Sequence, residues 1–233
     1  MASNLNVFDT QAEYEQKKAA GSLGLPNVSF VKSPEQVLYL RETEIGIASF
    51  ESGVRRYYKL EDWNALSVKP TVLGVYVKTP DCGFIIHNDT FGHVFGLPEA
   101  GIPGVTTTNS LAGARQDFKG KENTAAIFSY MDEGSFESTL FTQVRAKQFA
   151  DGSNAYLGAA GEIKAIFDNI LQVDACRAAI NSPALSGLYD RVLSSTLYNT
   201  SGQVWVWNDI STVRGLNTAP YGYYSIAVFF GSL

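Results

Sequence analysis

The stretch NAYLGAAGEIKAIFDNILQVDACRAAIN, residues 154–181, decides the fold. Ile163, Ile166, Phe167, Ile170 and Leu171 recur at the spacing of one helical face, and Ala175, Ala178, Ala179 and Ile180 carry a second short helix. Downstream, RVLSSTLYN (191–199) and QVWVWND (203–209) flank Thr200-Ser201-Gly202 and read as a hairpin. The chain closes on YGYYSIAVFF (221–230), another strand. Helices in the middle and strands late predict an α+β domain.

Upstream the elements are short. GIASFES (46–52) and RRYYKL (55–60) form a hairpin around Gly53, EDWNAL (61–66) a helical turn and PTVLGVYVKT (70–79) a buried strand. Gly83–Asn88 alternates again. Residues 98–123 are rich in Gly, Thr, Asn and Pro and read as an irregular loop. Asn123 or Thr124 caps a helix that Gly134 ends, and Phe141–Phe149 is a further helix or turn. Residues 1–42 stand apart. Asp9 or Thr10 caps a helix over 11–21, and NVSFVK (27–32) and QVLYLR (36–41) form a hairpin around Ser33-Pro34-Glu35. A helix and a two-stranded ribbon bury little apolar area alone, so this module is expected to dock on something else. The expected division is 1–42 and 43–233.

Composition bounds the function. The 233 residues carry a net charge of −5 with Lys and Arg scattered, which argues against binding a phosphate backbone. No apolar run approaches the roughly 20 residues that span a bilayer. The first residues, MASNLNVFDTQAEYEQKK, have no basic region followed by an apolar one, which predicts no secretory leader and synthesis in a cytoplasm. Charged residues are only 18% where about 25% is usual. Aromatics reach 12%, consistent with a β-rich core or with aromatic surface covered by other chains. Cys82 and Cys176 are expected to be two reduced, buried thiols, with no zinc-like spacing.

Particular motifs now point to a family. Tyr156, Leu157, Gly161 and Glu162, then Ser194, Ser195 and Thr196, then VWVWND and a closing aromatic strand follow the order of a C-type-lectin-like domain of the formylglycine-sulfatase type. Residues 45–77 and the leader 6–40 resemble segments of virion proteins from crAss-like and related gut phages. The match departs where the family's Pro-Ser is Gly158-Ala159, where its Trp is Leu193, and where its closing arginines are replaced by Tyr223, Tyr224 and Ser225. The resemblance implies a phage virion structural protein, such as a head fibre or capsid decoration. Residues 1–42 would attach it to other virion proteins and to sister chains as a homo-oligomer. A lectin-like surface would adhere weakly to host-surface or mucosal glycan. The alternative is a structural adaptor or spacer of tail or capsid without a ligand.

The chemistry-bearing residues fit recognition better than catalysis. Calcium needs six to eight oxygen ligands from several segments, and Asn208 with Asp209 lacks the Glu-Pro-Asn or Gln-Pro-Asp loop that calcium lectins add. No metal and no cofactor are expected, and Asn208-Asp209 reads as the turn after a strand. His87, Asp89 and His93 in HNDTFGH read as a structural loop rather than a metal site. No nucleophile elbow occurs, Cys176 falls in a helix, and Glu162 reads as a buried residue holding a backbone loop, so no enzyme is predicted. The candidate ligand-binding residues are Trp205, Trp207, Asn208, Asp209, Tyr221, Tyr223 and Tyr224, where aromatic faces stack and Asn and Asp hold hydroxyls. Strand alternation puts Trp205 and Trp207 on one face, and that face is either contact surface or core.

Overall fold

Alternating and continuous apolar runs give the described residues more strand than helix, and helices cover what the strands expose. A computed structural model describes residues 5–8, 28–32, 37–41, 43–92, 101–135, 137–186, 191–198, 203–210, 213–220 and 226–233. The chain divides into two compact units, Met1–Glu44 and Ile45–Leu233. In the first, β1 (Leu5–Phe8) pairs parallel with β2 (Val28–Lys32), and β2 pairs antiparallel with β3 (Val37–Arg41). The helix expected over 11–21 lies outside the described residues. The parallel strand β1 has no signal in a four-residue stretch read alone.

The second unit is built on a mixed sheet. Its strands are β4 (Glu44–Glu51), β5 (Val54–Tyr58), β6 (Thr71–Lys78), β7 (Gly83–Gly92), β8 (Tyr156–Leu157), β9 (Arg191–Leu197), β10 (Gln203–Ile210), β11 (Val213–Pro220) and β12 (Ile226–Ser232). They lie in the order β11-β10-β9-β12-β7-β6-β4-β5, with β8 beside β12. The late strands β9 and β12 run parallel, while β7 and β8 meet β12 antiparallel. The β4–β5 turn needs two left-handed residues, Ser52 at φ 51° and Gly53 at φ 81°.

Both faces of this sheet are covered, so its central strand reads as an unbroken apolar run. On one face Ala227 and Phe229 pack with Ile127 of α3 (Gly120–Asp132) and with Leu140, Phe141 and Val144 of α4 (Thr139–Ala146). On the other, Ile226, Val228 and Phe230 pack with α1 (Leu60–Ala65), α5 (Ala160–Asp168) and α6 (Ile170–Ala179) through Trp63, Ile163, Ile166, Val173 and Cys176. Phe230 stacks on Phe84 with centroids 4.6 Å apart. Gly158 passes against the Phe230 ring, where a Cβ would collide, so the proline of the family pattern has no room here.

Helix α5 begins inside the protein, and its first N–H groups need partners that its own cap cannot supply. Ala159 has no side-chain acceptor. Glu162 reaches back to take the Ala159 N–H (2.7 Å), the Thr196 hydroxyl on β9 takes the Ala160 N–H (2.8 Å), and the Asp117 carbonyl takes the Gly161 N–H (2.9 Å). Thr196 in turn donates to the Asp117 carboxylate (2.6 Å), which also accepts from Asn123 (3.1 Å). Asn123 accepts the Thr106 N–H, and Thr124 satisfies both backbone groups of Leu157. Asn123 and Thr124 are therefore not helix caps. Helix α3 starts earlier, at Gly120, and both residues are buried in its first turns and bond to other segments. A short helix, α2 (Leu111–Arg115), capped by Ser110, replaces part of the loop expected over 98–123.

Removing the Thr196 hydroxyl while keeping its shape strands the Ala160 N–H and takes one of two donors from the Asp117 oxygen that Asn123 also reaches. Thr196→Val is expected to lower stability by about 2–3 kcal/mol in urea unfolding with an unchanged slope, and Thr196→Ser by less than about 1 kcal/mol.

Candidate functional site

The two tryptophans of VWVWND sit where helix α5 crosses β10. Ala160 and Phe167 are two helical turns apart on one face; Ala160 packs with Trp205, and Phe167 stacks flat on Trp207 (4.8 Å, 6°). Trp205 is 4% exposed, donates its indole N–H to the Thr108 carbonyl (3.0 Å) and meets Tyr198 edge-on. Trp207 is half-buried, and its Nε1 has no hydrogen-bond partner. Asn208 is buried, and its Oδ1 is likewise unpartnered. Asn208 and Asp209 do not form a turn: they continue the ladder opposite Gly215 and Arg214, because β11 pairs back as far as Ile210↔Val213. Tyr221, Tyr223 and Tyr224 lie outside the described residues. Of the sequence-predicted set, the fold brings together Trp205, Trp207 and Asn208, with Asp209 next along the strand.

A second place gathers more open polar groups. Strand β7 pairs with β12 in register at Thr90↔Val228 and again at Ile86↔Phe230, so His87, Asn88 and Asp89 all lie opposite the single residue Phe229. This β-bulge breaks the alternation that would send neighbouring side chains to opposite faces. Asn88, Asp89 and Thr90 consequently line one cleft, together with Gln143 and Lys147 from α4 and its end, Pro183 and Phe229. Its volume is about 420 Å³.

Arg177 of α6 holds the bulge. The side chain is fully buried and donates to the carbonyls of His87 (3.0 Å), Asn88 (3.1 Å) and Pro183 (2.6 Å). Carbonyls displaced from the ladder thus find a charged donor instead of water. The loop that carries Pro183 is fixed from the same helix. Asn181 adopts φ 57° past the helix end, Ser182 N–H returns to the Arg177 carbonyl, and the Asp174 carboxylate accepts from Leu185 and Ser186.

Charge in the cleft is balanced. Asp89 pairs with Lys147, and that hydrogen bond holds its carboxyl below the usual range. Burial, with Lys147 nearby, lowers the pKa of His87. His87 Nδ1 lies 3.9 Å from Asp89 Oδ2 but accepts the Asp89 backbone N–H at 3.0 Å, so the ring is a neutral acceptor there and not an ion-pair partner. That lone pair is therefore spent. Among the described residues no three His, Cys, Asp or Glu side chains gather as metal ligands.

Three further groups belong to the frame: Glu162 and Cys176 are buried, whereas Cys82, expected to be buried, is only half-buried. Burial pushes Glu162 up to about 8, and its oxygens meet Ala159 N–H and the Tyr156 hydroxyl. Burial pushes both free thiols, Cys82 and Cys176, up to about 11. Neither is a thiolate at neutral pH.

The cleft residues Asn88, Thr90, Gln143, Lys147, Pro183 and Phe229, and Arg177 behind them, were not singled out as a site by the sequence. One signal was present: HNDT is a polar run that interrupts an apolar strand after FII. Comparison with known protein families, curated proteins and solved structures finds no match to this chain.

Replacing Arg177 by Met is expected to cost on the order of 3 kcal/mol, since three buried carbonyls lose their donor. Hydrogen exchange should quicken first at residues 86–90 and 183–186. Glu162 sets a pH dependence. Its folded pKa stands above the ordinary 4.5, so the stability it contributes is full below 4.5 and is lost as pH rises through about 8. His87 acts oppositely, but only below about its ordinary 6.5. Between pH 6.5 and 8 the melting temperature is therefore expected to fall, and to fall less in Glu162→Gln, which keeps the acceptor for Ala159 and faces the same Asp117, Glu122, Tyr156 and Cys82. Equal slopes for both proteins would refute the assignment.

Proposed function

We propose that this chain is a structural protein of a bacteriophage particle, such as a head fibre or capsid decoration. In this reading residues 1–42 are its attachment and oligomerisation module. The following domain is C-type-lectin-like and gives weak adhesion to host-surface or mucosal glycan. The observation that carries the reading is the meeting of the two stretches on which the resemblance rests. Gly161 and Glu162 at the start of α5 and Ser194–Thr196 on β9 lie in one buried hydrogen-bond network, with Ser195 N–H bonded to the Gly158 carbonyl (2.9 Å) and Asn123 to the Ser195 hydroxyl (3.4 Å). The joint placement of both stretches supports the reading. The mixed α+β architecture supports the same assignment.

The sealed position of Trp205 favours a second reading, a spacer or adaptor with no ligand, because one of the two tryptophans of the expected contact face is spent on packing. Purified particles are expected to contain the chain as a homo-oligomer, and a version lacking residues 1–42 should fold but remain unbound. Particles without the chain should adsorb to host cells or mucin more weakly. Full adsorption without it would leave the spacer reading in place, and absence from particles would remove both.

A further inference from the structure

The bulge cleft has the makings of a binding site of its own. Its walls are tied down: one strand held by a buried arginine, one helix, and a loop joined to α6 by four hydrogen bonds. At about 420 Å³ it falls at the small end of the roughly 300–1,000 Å³ typical of ligand sites. Asn88 Oδ1 is buried and has no hydrogen-bond partner among the described residues, a cost that a native fold normally avoids. A turn about the broad terminal torsion of Asn88 offers that acceptor to an incoming donor.

Charge selects the class of ligand. Asp89 and Lys147 neutralise one another, His87 is neutral, and the Arg177 guanidinium is turned onto three carbonyls. An anion would meet the Asp89 carboxylate, and a cation would meet Lys147 with Arg177 behind it. An apolar molecule would strip water from Asn88, Asp89, Thr90, Gln143 and Lys147 without replacing their hydrogen bonds. A neutral ring with several hydroxyls suits all of them. Asn88 and Asp89 accept from hydroxyls, Lys147 and Gln143 donate to them, and Pro183 and Phe229 supply the apolar part of the lining against which C–H groups pack.

We propose that the cleft formed by the His87–Asp89 bulge, Gln143, Lys147, Pro183 and Phe229 is a metal-independent site for one or two neutral sugar units. For its biological source, a surface glycan, this rests on the adhesion reading above. It moves the contact from the β10 tryptophans to the bulge of β7.

The test uses the full ¹⁵N-labelled chain, titrated with D-galactose, L-fucose, N-acetyl-D-glucosamine and methyl α-mannoside. N-acetylneuraminate and inorganic phosphate serve as anionic probes. At least one neutral sugar is expected to shift the amide signals of Asn88, Thr90, Gln143 and Lys147, with EDTA present. Gln143→Trp, an exposed helix position that fills the cleft, should weaken that binding at least tenfold, and so should Lys147→Gln. Three results would overturn the site: shifts with the anions alone, shifts confined to β10 and β11, or no shift with any probe. Unchanged binding by Gln143→Trp would also overturn it. Adsorption of particles is scored separately. Sugar binding in the cleft by a chain that particles do not need for adsorption would refute the adhesion reading alone. Adsorption that needs the chain but ignores both variants would refute the cleft.

Discussion

The start of helix α5 is the constraint on which the rest of the large unit depends. A helix that begins in the interior brings several unsatisfied N–H groups with it, and each left unpaired costs about 1–3 kcal/mol. Here the acceptors come from three different places: Glu162 within the helix, Asp117 from the preceding loop, and Thr196 from β9. Because Thr196 and Asp117 also bond each other, the helix, the loop and the strand position one another or none is positioned. Once α5 is set, its face with Ala160 and Phe167 must lie along β10, and the tryptophans are covered as a consequence.

A similar economy operates at the other end of the sheet. The bulge of β7 frees backbone carbonyls that a regular ladder would have used, and Arg177 gathers two of them together with one from the Pro183 loop. A buried guanidinium without a hydrogen-bonded carboxylate would be costly alone. Its three carbonyls supply the negative ends of dipoles, and Asp174 and Asp89 supply nearby charge. The same distortion that requires the arginine turns Asn88, Asp89 and Thr90 into one cleft. Structure and candidate site are therefore two consequences of one irregularity.

What was legible in the sequence was local. The helical face of Ile163, Ile166 and Phe167, the hairpin around Gly53 and the run IAVFF show their periodicity within one element, and each forms the element expected. Ile170 and Leu171, expected on the same face, fall instead in the next helix after a break at Asn169, and Leu171 is exposed. β11 escaped notice because Gly215 and Pro220 break its pattern, and pairing with β10 supplies what propensity lacks. Asn123 and Thr124 were misread as caps because a polar residue near a helix start looks the same whether it bonds its own helix or a segment 33 residues away. Period two put Trp205 and Trp207 on one face, but only α5 decides that the face is interior. The cleft was least legible of all. It joins His87 to Arg177 across 90 positions of chain, a relation no local pattern encodes.

Charge economy links these observations to recognition. The chain has few charges, and some of them are spent inside: Arg177 on carbonyls and Asp117 on the start of α5, while the half-buried Arg55 bonds Asp151 and the Ser232 carbonyl. Trp207 Nε1 and Asn208 Oδ1 cannot relieve each other, since neighbours on a regular strand face opposite ways. Asn88 differs, because its unpartnered oxygen stands at the wall of an open cleft beside groups that donate and accept. A recessed set of hydrogen-bonding groups around a mutually neutralised Asp89–Lys147 pair suits a ligand told apart by the arrangement of its hydroxyls, and most of that set stands on a strand and a helix.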